Sequence, residues 1–389
     1  MSAPDQPSLT AQPAGRFLLV ACQGGAEQAL TDRVSALAAD RPHTVPVAAG
    51  PCRGWRRAAW RRGVVTFRLP EAATGGDVPE EVFPDIIFAR ACIHSLGQIT
   101  GDTLATRVER AVGLAGPGPW DDVHVWHRVD GLDPAAQEIR AALREACSLP
   151  DGDSRASPAG ANAVDGGVDG GVDGGNAVVG NAPGERILDC VIDEAERWWV
   201  GWHRVGVAPS GWPGGIHPRP LPPEAVSRAW LKLDEALAVF TLAPAAGERA
   251  IELGSAPGGA CQRLLEAGLD VVGIDPAAMD PRVAGHPRFT HWRMRARDVK
   301  QRMFRGCDWL VTDMNIDPRS TLEALGRIVT TPGVRPRGIV ATLKIPDWSR
   351  AAELPDWLAA FRGWGYEPRA RQLSSGGREV CVAATPAGR

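Results

Sequence analysis

Apolar and polar positions along the chain fall into two patterned regions separated by a stretch with no periodicity. In the first region the apolar run 17–22 predicts a strand, and 26–39 carries the apolar period of a helix. Alternation at 64–69 predicts another strand, and 85–99 holds a further apolar run. Residues 103–112 read as a helix, 123–129 as a strand and 134–147 as a helix, so 16–150 is expected to be an α+β unit. Residues 1–15, mostly Pro, Ala, Ser and Gln without a period, predict a disordered tail.

The pattern then stops. Residues 151–185 contain Val-Asp-Gly-Gly starting at Val164, Val168 and Val172, a glycine-rich stretch too poor in apolar surface to offset chain entropy. It reads as a flexible linker, and it is too short and isolated for a calcium-binding repeat. Beyond it, 186–192 and 198–207 read as strands, and from about Ala250 strands alternate with helices. The expectation is a second domain over 186–389, a doubly wound α/β sheet with its ligand at the carboxyl ends of the strands.

Composition narrows the class. The chain has 389 residues, 44% hydrophobic and 23% charged, with no apolar run long enough to span a bilayer and no basic-then-apolar leader. It reads as a soluble, cytoplasmic protein. The eight cysteines contain no CxxC pair, which argues against a zinc site or a secreted disulfide scaffold, so no metal is expected. Net charge is −3, so any nucleic-acid surface must be a local patch. One such patch interleaves Arg53, Arg56, Arg57, Arg61 and Arg62 with Trp55 and Trp60; it suits phosphate contacts and base stacking, or equally an exposed hairpin anchored by its tryptophans. Only Lys232, Lys300 and Lys344 of the 43 basic residues are lysine. Guanidinium does not give up its proton and an ammonium can, so these three positions draw attention.

Candidate chemistry centres on Ile251-Glu252-Leu253-Gly254-Ser255-Ala256-Pro257-Gly258-Gly259, a buried strand running into a glycine-rich turn before a helix at 260–267. A second strand, 269–274, ends in Asp275, 21 residues after Gly254, a spacing at which a carboxylate meets a ribose hydroxyl in a βαβ nucleotide site. By residue type alone the turn suits a dinucleotide, S-adenosylmethionine or a plain tight connection. Downstream, 309–314 is an apolar strand ending at Asp313, 338–343 is another followed by Lys344, and Glu379 opens a last strand. Upstream, 227–240 reads as a helix carrying Lys232.

Taken together, these segments resemble the FtsJ-like ribose 2'-O-methyltransferases. Glu252-Leu253-Gly254-Ser255-Ala256-Pro257-Gly258-Gly259 is similar to their D-L-G-x-x-P-G-G turn, and Ser227-Arg228-Ala229-Trp230-Leu231-Lys232-Leu233-Asp234-Glu235 to their S-R-A-x-x-K-L-x-E helix. Lys232, Asp313, Lys344 and Glu379 fall in the order of the family's K-D-K-E tetrad. Glu252 replaces the usual Asp, and Ala260 stands where an aromatic is common. Domain order and Glu196-Arg197-Trp198-Trp199-Val200-Gly201-Trp202-His203 further resemble the RlmM-type large-subunit rRNA methyltransferases. That resemblance implies a Rossmann-like class I methyltransferase domain behind a THUMP-like RNA-binding domain, with a cytidine ribose of large-subunit rRNA as target. It implies S-adenosylmethionine bound by Gly254, Ser255, Ala256, Pro257, Gly258, Gly259, Asp275 and Asp313, with Asp298 accepting the adenine amino group.

The chemistry explains the residue types. A ribose hydroxyl is weakly acidic; an adjacent ammonium lowers its pKa, and a lysine of depressed pKa accepts its proton. Lys344, close to a second cation at Lys232, is expected to have such a depressed pKa and to act as base. Asp313 would orient it and line the methyl path, while Glu379 would pair with Lys232 and fix the ribose. A methyltransferase acting on a base would have no need of the lysine pair, and would usually carry an amide-and-aromatic clamp where this chain has Thr312-Asp313-Met314-Asn315. A non-catalytic RNA-binding protein would be expected to lose the tetrad or the turn. Oligomeric state is not encoded in these patterns.

Overall fold

The computed structural model describes residues 16–39, 52–70, 85–129, 133–150, 180–206 and 208–388. The expected tail, 1–15, and 151–179 of the expected linker lie outside the described residues.

The first unit contains β1 (Phe17–Ala21), α1 (Glu27–Ala39), β2 (Arg56–Arg61), β3 (Val64–Arg68), β4 (Ala91–Thr100), α2 (Leu104–Ala115), β5 (Asp122–His127), α3 (Pro134–Ala146), β6 (Arg186–Glu194) and β7 (Arg197–Arg204). Local chemistry starts the helices. Thr103 Oγ1 accepts from Thr106 N to cap α2, and Asp133 accepts from Ala136 N ahead of Pro134 to cap α3. The strands form one sheet in the order β2-β3-β1-β4-β7-β6-β5, antiparallel except for the β5–β6 pair. This corrects the boundary expected at residue 186: β6 and β7 complete the first sheet, β7 pairing with β4 and β6 with β5. Those pairings join residues about 65 (β5–β6) and 100 (β4–β7) positions apart, which no local pattern reveals.

The second unit contains α4 (Ala229–Val239), β8 (Arg249–Leu253), α5 (Gly259–Glu266), β9 (Asp270–Ile274), α6 (Pro281–Ala284), β10 (Phe289–Trp292), β11 (Trp309–Thr312), α7 (Pro318–Val329), β12 (Gly338–Lys344), α8 (Leu354–Gly363), β13 (Tyr366–Arg371) and β14 (Glu379–Pro386). Its sheet runs β10-β9-β8-β11-β12-β14-β13; the first five strands are parallel, and β14 is inserted antiparallel between β12 and β13. Strand order reverses at β8, so the crevice beyond β8 and β11 is the topological switch point. The doubly wound expectation holds. Side chains alternate across the sheet. Ile251, Leu253 and Leu310 join an apolar cluster with α7 and α8, while Ala250, Trp309 and Val311 pack with α4 and α5. Among the described residues no helix is long and apolar enough to cross a membrane.

The two units share a core. The Ile251 cluster continues into Leu18, Leu30, Phe67 and Ile86 of the first unit, and Phe88 meets Trp348 edge-on at 6.0 Å. Hydrogen bonds join them too: Gln372 N donates to Ile87 O at 2.9 Å, and the Arg371 side chain donates from Nη2 to Ala89 O at 2.8 Å. At one edge of the first sheet, every residue of β2 is exposed. Trp55 packs on Phe67 with ring centroids 5.9 Å apart, whereas Trp60 is 59% exposed. The two tryptophans of the basic patch therefore part company, one an anchor and one free to make contacts.

One buried polar residue in the second sheet titrates in an unusual range. Glu252 on β8 is fully buried under α5, and Cys261 Sγ donates to its Oε2 at 2.8 Å. Burial, reinforced by the charges of Asp313 and Asp275, pushes its carboxyl up to about 8, against the opposing thiol bond. The native state therefore holds one more proton than the unfolded chain between the ordinary carboxyl range and pH 8. Stability from this group is present at low pH, falls as pH rises through that window and is fully lost above 8. The slope is at most about 1.4 kcal/mol per pH unit for one proton. Denaturant unfolding of Glu252→Gln and the parent from pH 5 to 9 is expected to show the variant's stability relative to the parent rising with pH; a constant difference would refute this assignment.

Candidate active site

At the carboxyl ends of the second sheet, four charged side chains from four elements close into a ring. Lys344 ends β12 and Glu379 opens β14, and the antiparallel register sets them directly opposite each other. Lys344 Nζ donates to Glu379 Oε2 at 2.5 Å and to Asp313 Oδ1 at 2.7 Å, with Asp313 following β11. Lys232 Nζ, on α4, donates to Asp313 Oδ2 at 3.0 Å and lies 2.7 Å from Glu379 Oε1. Positive and negative groups alternate, each cation touching both anions. All four are largely buried, with side-chain exposures from 9 to 19%.

Electrostatics follow from that alternation. Burial alone would raise the Asp313 carboxyl, but the ammonium groups of Lys232 and Lys344 outweigh it and hold its pKa below the ordinary value. Burial alone would lower Lys344; the hydrogen bonds and charges of Asp313 and Glu379 outweigh it and raise its pKa. This overturns the expectation of a depressed Lys344. The second lysine and desolvation both push the Lys344 pKa down, but the two carboxylates that each contact it decide the sign.

Residues behind the ring hold it in place. Glu235, buried on α4, accepts from the backbone N–H groups of Ser374 and Ser375 at 2.7 and 2.8 Å, and Arg228 Nη2 donates to Ser375 O at 2.9 Å. Both belong to the same short motif as Lys232, and they fasten α4 to the connection that leads into Glu379. Asp234 accepts from His217, Arg219 and Arg263 at 2.7–2.9 Å, fixing the other side of the helix. No role was foreseen for these acids; their place within the S-R-A-x-x-K-L-x-E pattern was the one signal available.

Beside the ring opens a cleft of about 740 Å³, lined among others by Gly254, Ala256, Asp275, Arg295, Asp313 and Met314. Gly254 adopts φ 76°, and a Cβ there would stand 2.7 Å from Met314 Cγ, so no side chain fits at this turn. Asp275 accepts from Ala256 N at 3.2 Å and Ala277 N at 2.8 Å, which leaves each oxygen a lone pair toward the cleft. Other residues expected to hold a ligand lie elsewhere. Ser255 is buried beneath the turn near Met279, and Pro257 does not line the cleft. Gly258 and Gly259 serve packing: a Cβ on Gly259 would collide with the Ser227 hydroxyl, so glycine lets α5 approach the start of α4. Asp298 is exposed on a short 3-10 turn, 3.9 Å from Arg297, and is not brought to the cleft; its neighbours Arg295, Ala296 and Arg297 are.

Residues 225–331 match the FtsJ-like methyltransferase family. The chain is 27% identical over 366 residues to "Ribosomal RNA large subunit methyltransferase M" of Halorhodospira halophila, covering 93% of this chain and 95% of that protein. The protein of the same name from Stenotrophomonas maltophilia is 28% identical, with coverage of 86% and 89%. The one from Laribacter hongkongensis is 34% identical over 185 residues, 44% of this chain and about half (51%) of its own length. Among solved structures, a putative S-adenosylmethionine dependent methyltransferase from Listeria monocytogenes is 11% identical over 41% of this chain and 97% of its own, with a TM-score of 0.33, a likeness too distant to bear on chemistry. On its sheet order, its glycine turn and the match over residues 225–331, the second unit carries an FtsJ-like methyltransferase domain.

Proposed function

We propose that this protein transfers a methyl group from S-adenosylmethionine to a ribose 2'-hydroxyl of large-subunit ribosomal RNA, with Lys232, Asp313, Lys344 and Glu379 as the reacting site. The observation that carries this reading is the closed Lys-Asp-Lys-Glu ring beside the switch-point cleft. The name shared by these relatives supports ribosomal RNA as the substrate, and the RlmM-type resemblance implies a cytidine as the target nucleotide.

The residues at the cleft fit the methyl donor. Asp275 offers free lone pairs for ribose hydroxyls, the 254–256 turn offers side-chain-free backbone, and Asp313 supplies negative charge suited to a sulfonium. The donor's part, once bound, is an electrophilic methyl open to in-line attack. The protein's part is to set the attacking oxygen and take its proton. Lys344 is the base, and its carboxylate partners keep it an ammonium in most molecules at neutral pH. Transfer then runs through the minority that has released its proton, with the Lys232 charge lowering the hydroxyl pKa. Glu379 bridges both lysines and fixes their separation, and alignment supplies most of the rate. The first unit serves as the RNA platform, with Arg56, Arg57, Arg61 and Trp60 of β2 at its exposed edge.

The deciding experiment incubates the protein with methyl-labelled S-adenosylmethionine and protein-free large-subunit rRNA lacking its modifications, followed by alkaline digestion. Label in an alkali-resistant dinucleotide is expected; label in ordinary mononucleotides would move the chemistry to a base. Lys232→Ala and Lys344→Ala are each expected to lower transfer by ~10²–10⁴-fold, with cofactor affinity by calorimetry little changed; near-normal turnover in either would overturn its role. Because the neutral fraction of Lys344 limits the rate, kcat is expected to rise about tenfold per pH unit from 6.5 to 8.5, and a flat profile would exclude Lys344 as base. Trp60→Ala is expected to weaken RNA binding by ~1–3 kcal/mol, the scale of one stacked base, measured by filter binding, with cofactor affinity unchanged.

A further inference from the structure

The first sheet buries a polar cluster that methyl transfer does not use. His124 on β5 and Asp189 on β6 are direct register partners, and His203 on β7 pairs with Ile187, two positions from Asp189. All three side chains therefore share one face of the sheet. All three residues are buried, His124 and Asp189 to 1% exposure, and their ligand-capable atoms lie within 4.8 Å of one another.

Hydrogen bonds around the cluster fix both imidazole tautomers. Asn181 Nδ2 donates to Glu185 Oε2 at 2.7 Å and Asp122 Oδ2 at 3.2 Å, so the amide oxygen is the atom 2.8 Å from His124 Nε2. That oxygen only accepts, so His124 carries its proton on Nε2 and a lone pair on Nδ1. Nδ1 is buried and has no hydrogen-bond partner. His203 repeats the arrangement. Its Nε2 lies 2.8 Å from the Ser210 carbonyl oxygen, and its Nδ1 lies 2.5 Å from Asp189 Oδ2. In the neutral ring that Nδ1 is also a lone pair, facing a carboxylate. Two nitrogen lone pairs and a carboxylate thus converge in a dry interior, where a positive species must lie between them. A proton on His203 serves that nitrogen and Asp189 but leaves His124 Nδ1 orphaned, an arrangement a buried core disfavours. A metal ion satisfies all three.

We propose that His124 Nδ1, His203 Nδ1 and the Asp189 carboxylate form a binding site for a divalent transition metal of the zinc type. Two imidazoles and a carboxylate are the donor set such an ion prefers, whereas magnesium and calcium call for oxygen ligands. Asn181 and Ser210 act as the outer acceptors that orient ligating imidazoles. Metal–ligand bonds of about 2.0–2.1 Å place tetrahedral ligand atoms roughly 3.3 Å apart, so His203 and Asp189 would separate by less than ~1 Å on loading. The fourth position falls to water. The site's role is structural. It straps β5, β6 and β7 to the segment from Ser210 to His217, and His217 Nε2 lies 2.9 Å from Asp234 on the helix that carries Lys232.

The test uses full-length protein stripped with chelator and titrated with Zn²⁺ by calorimetry and with Co²⁺ by visible absorption. One equivalent is expected, with cobalt bands of a tetrahedral site. Asn181→Ala is expected to weaken binding roughly ten- to hundred-fold, and His124→Gln, checked for folding by circular dichroism, by more than that. Failure of the parent protein to bind either ion would reduce the cluster to an Asp189–His203 ion pair and overturn the proposal. Undiminished affinity in folded His124→Gln would overturn it as well, since the ion would sit elsewhere. Zinc-edge anomalous diffraction from loaded parent crystals needs no variant: a peak among the three ligands supports the site, and a peak elsewhere or none refutes it.

Discussion

Lys344 and Glu379 face each other across the ladder between β12 and β14, and the geometry of the four-residue charged ring depends on that cross-strand pair. Because β14 runs antiparallel within an otherwise parallel run, its first residue arrives at the carboxyl end of β12, where the parallel strands also end. Asp313 and Lys232 then complete a ring with no net charge. Isolated, any of these groups would be expensive to desolvate; alternated, each satisfies two opposite partners. The same alternation holds Lys344 protonated, because each carboxylate of the ring favours its ammonium form.

The ring is held from both units. Glu235 and Arg228 tie α4 to the connection between β13 and β14, and Gln23 of the first unit donates to Gly376 O at 2.6 Å in that same connection. Gln372 bonds to both Gln23 and Ile87. A shared apolar core beneath these bonds fixes the first sheet against the second. The first unit is therefore a structural support for the segment preceding Glu379, quite apart from any contact it makes with a substrate.

Close packing explains several residues that a motif alone would assign to a ligand. Gly259 lets two helices touch, Ser255 sits under the turn, and Glu252 stays protonated against a thiol beneath α5. Glu252 extends one methylene beyond the usual Asp and reaches Cys261 on the helix facing it, so the departure from the family pattern has a packing partner.

By itself the sequence determined the second domain's class and singled out the four charged residues that close into a ring. A 3.6-residue period, apolar strands ending in Asp313 and Lys344, and the rarity of lysine are local signals, legible within ten residues. It also made the glycine turn visible, though not which of its residues meet the cleft. Tertiary structure alone decided the rest. The assignment of 186–204 to the first sheet, the sign of the Lys344 shift, the exclusion of Asp298 from the cleft and the meeting of His124, Asp189 and His203 depend on distances between residues far apart in the chain. Electrostatic and packing energies depend on those separations and fall steeply with them, so no linear pattern carries their values.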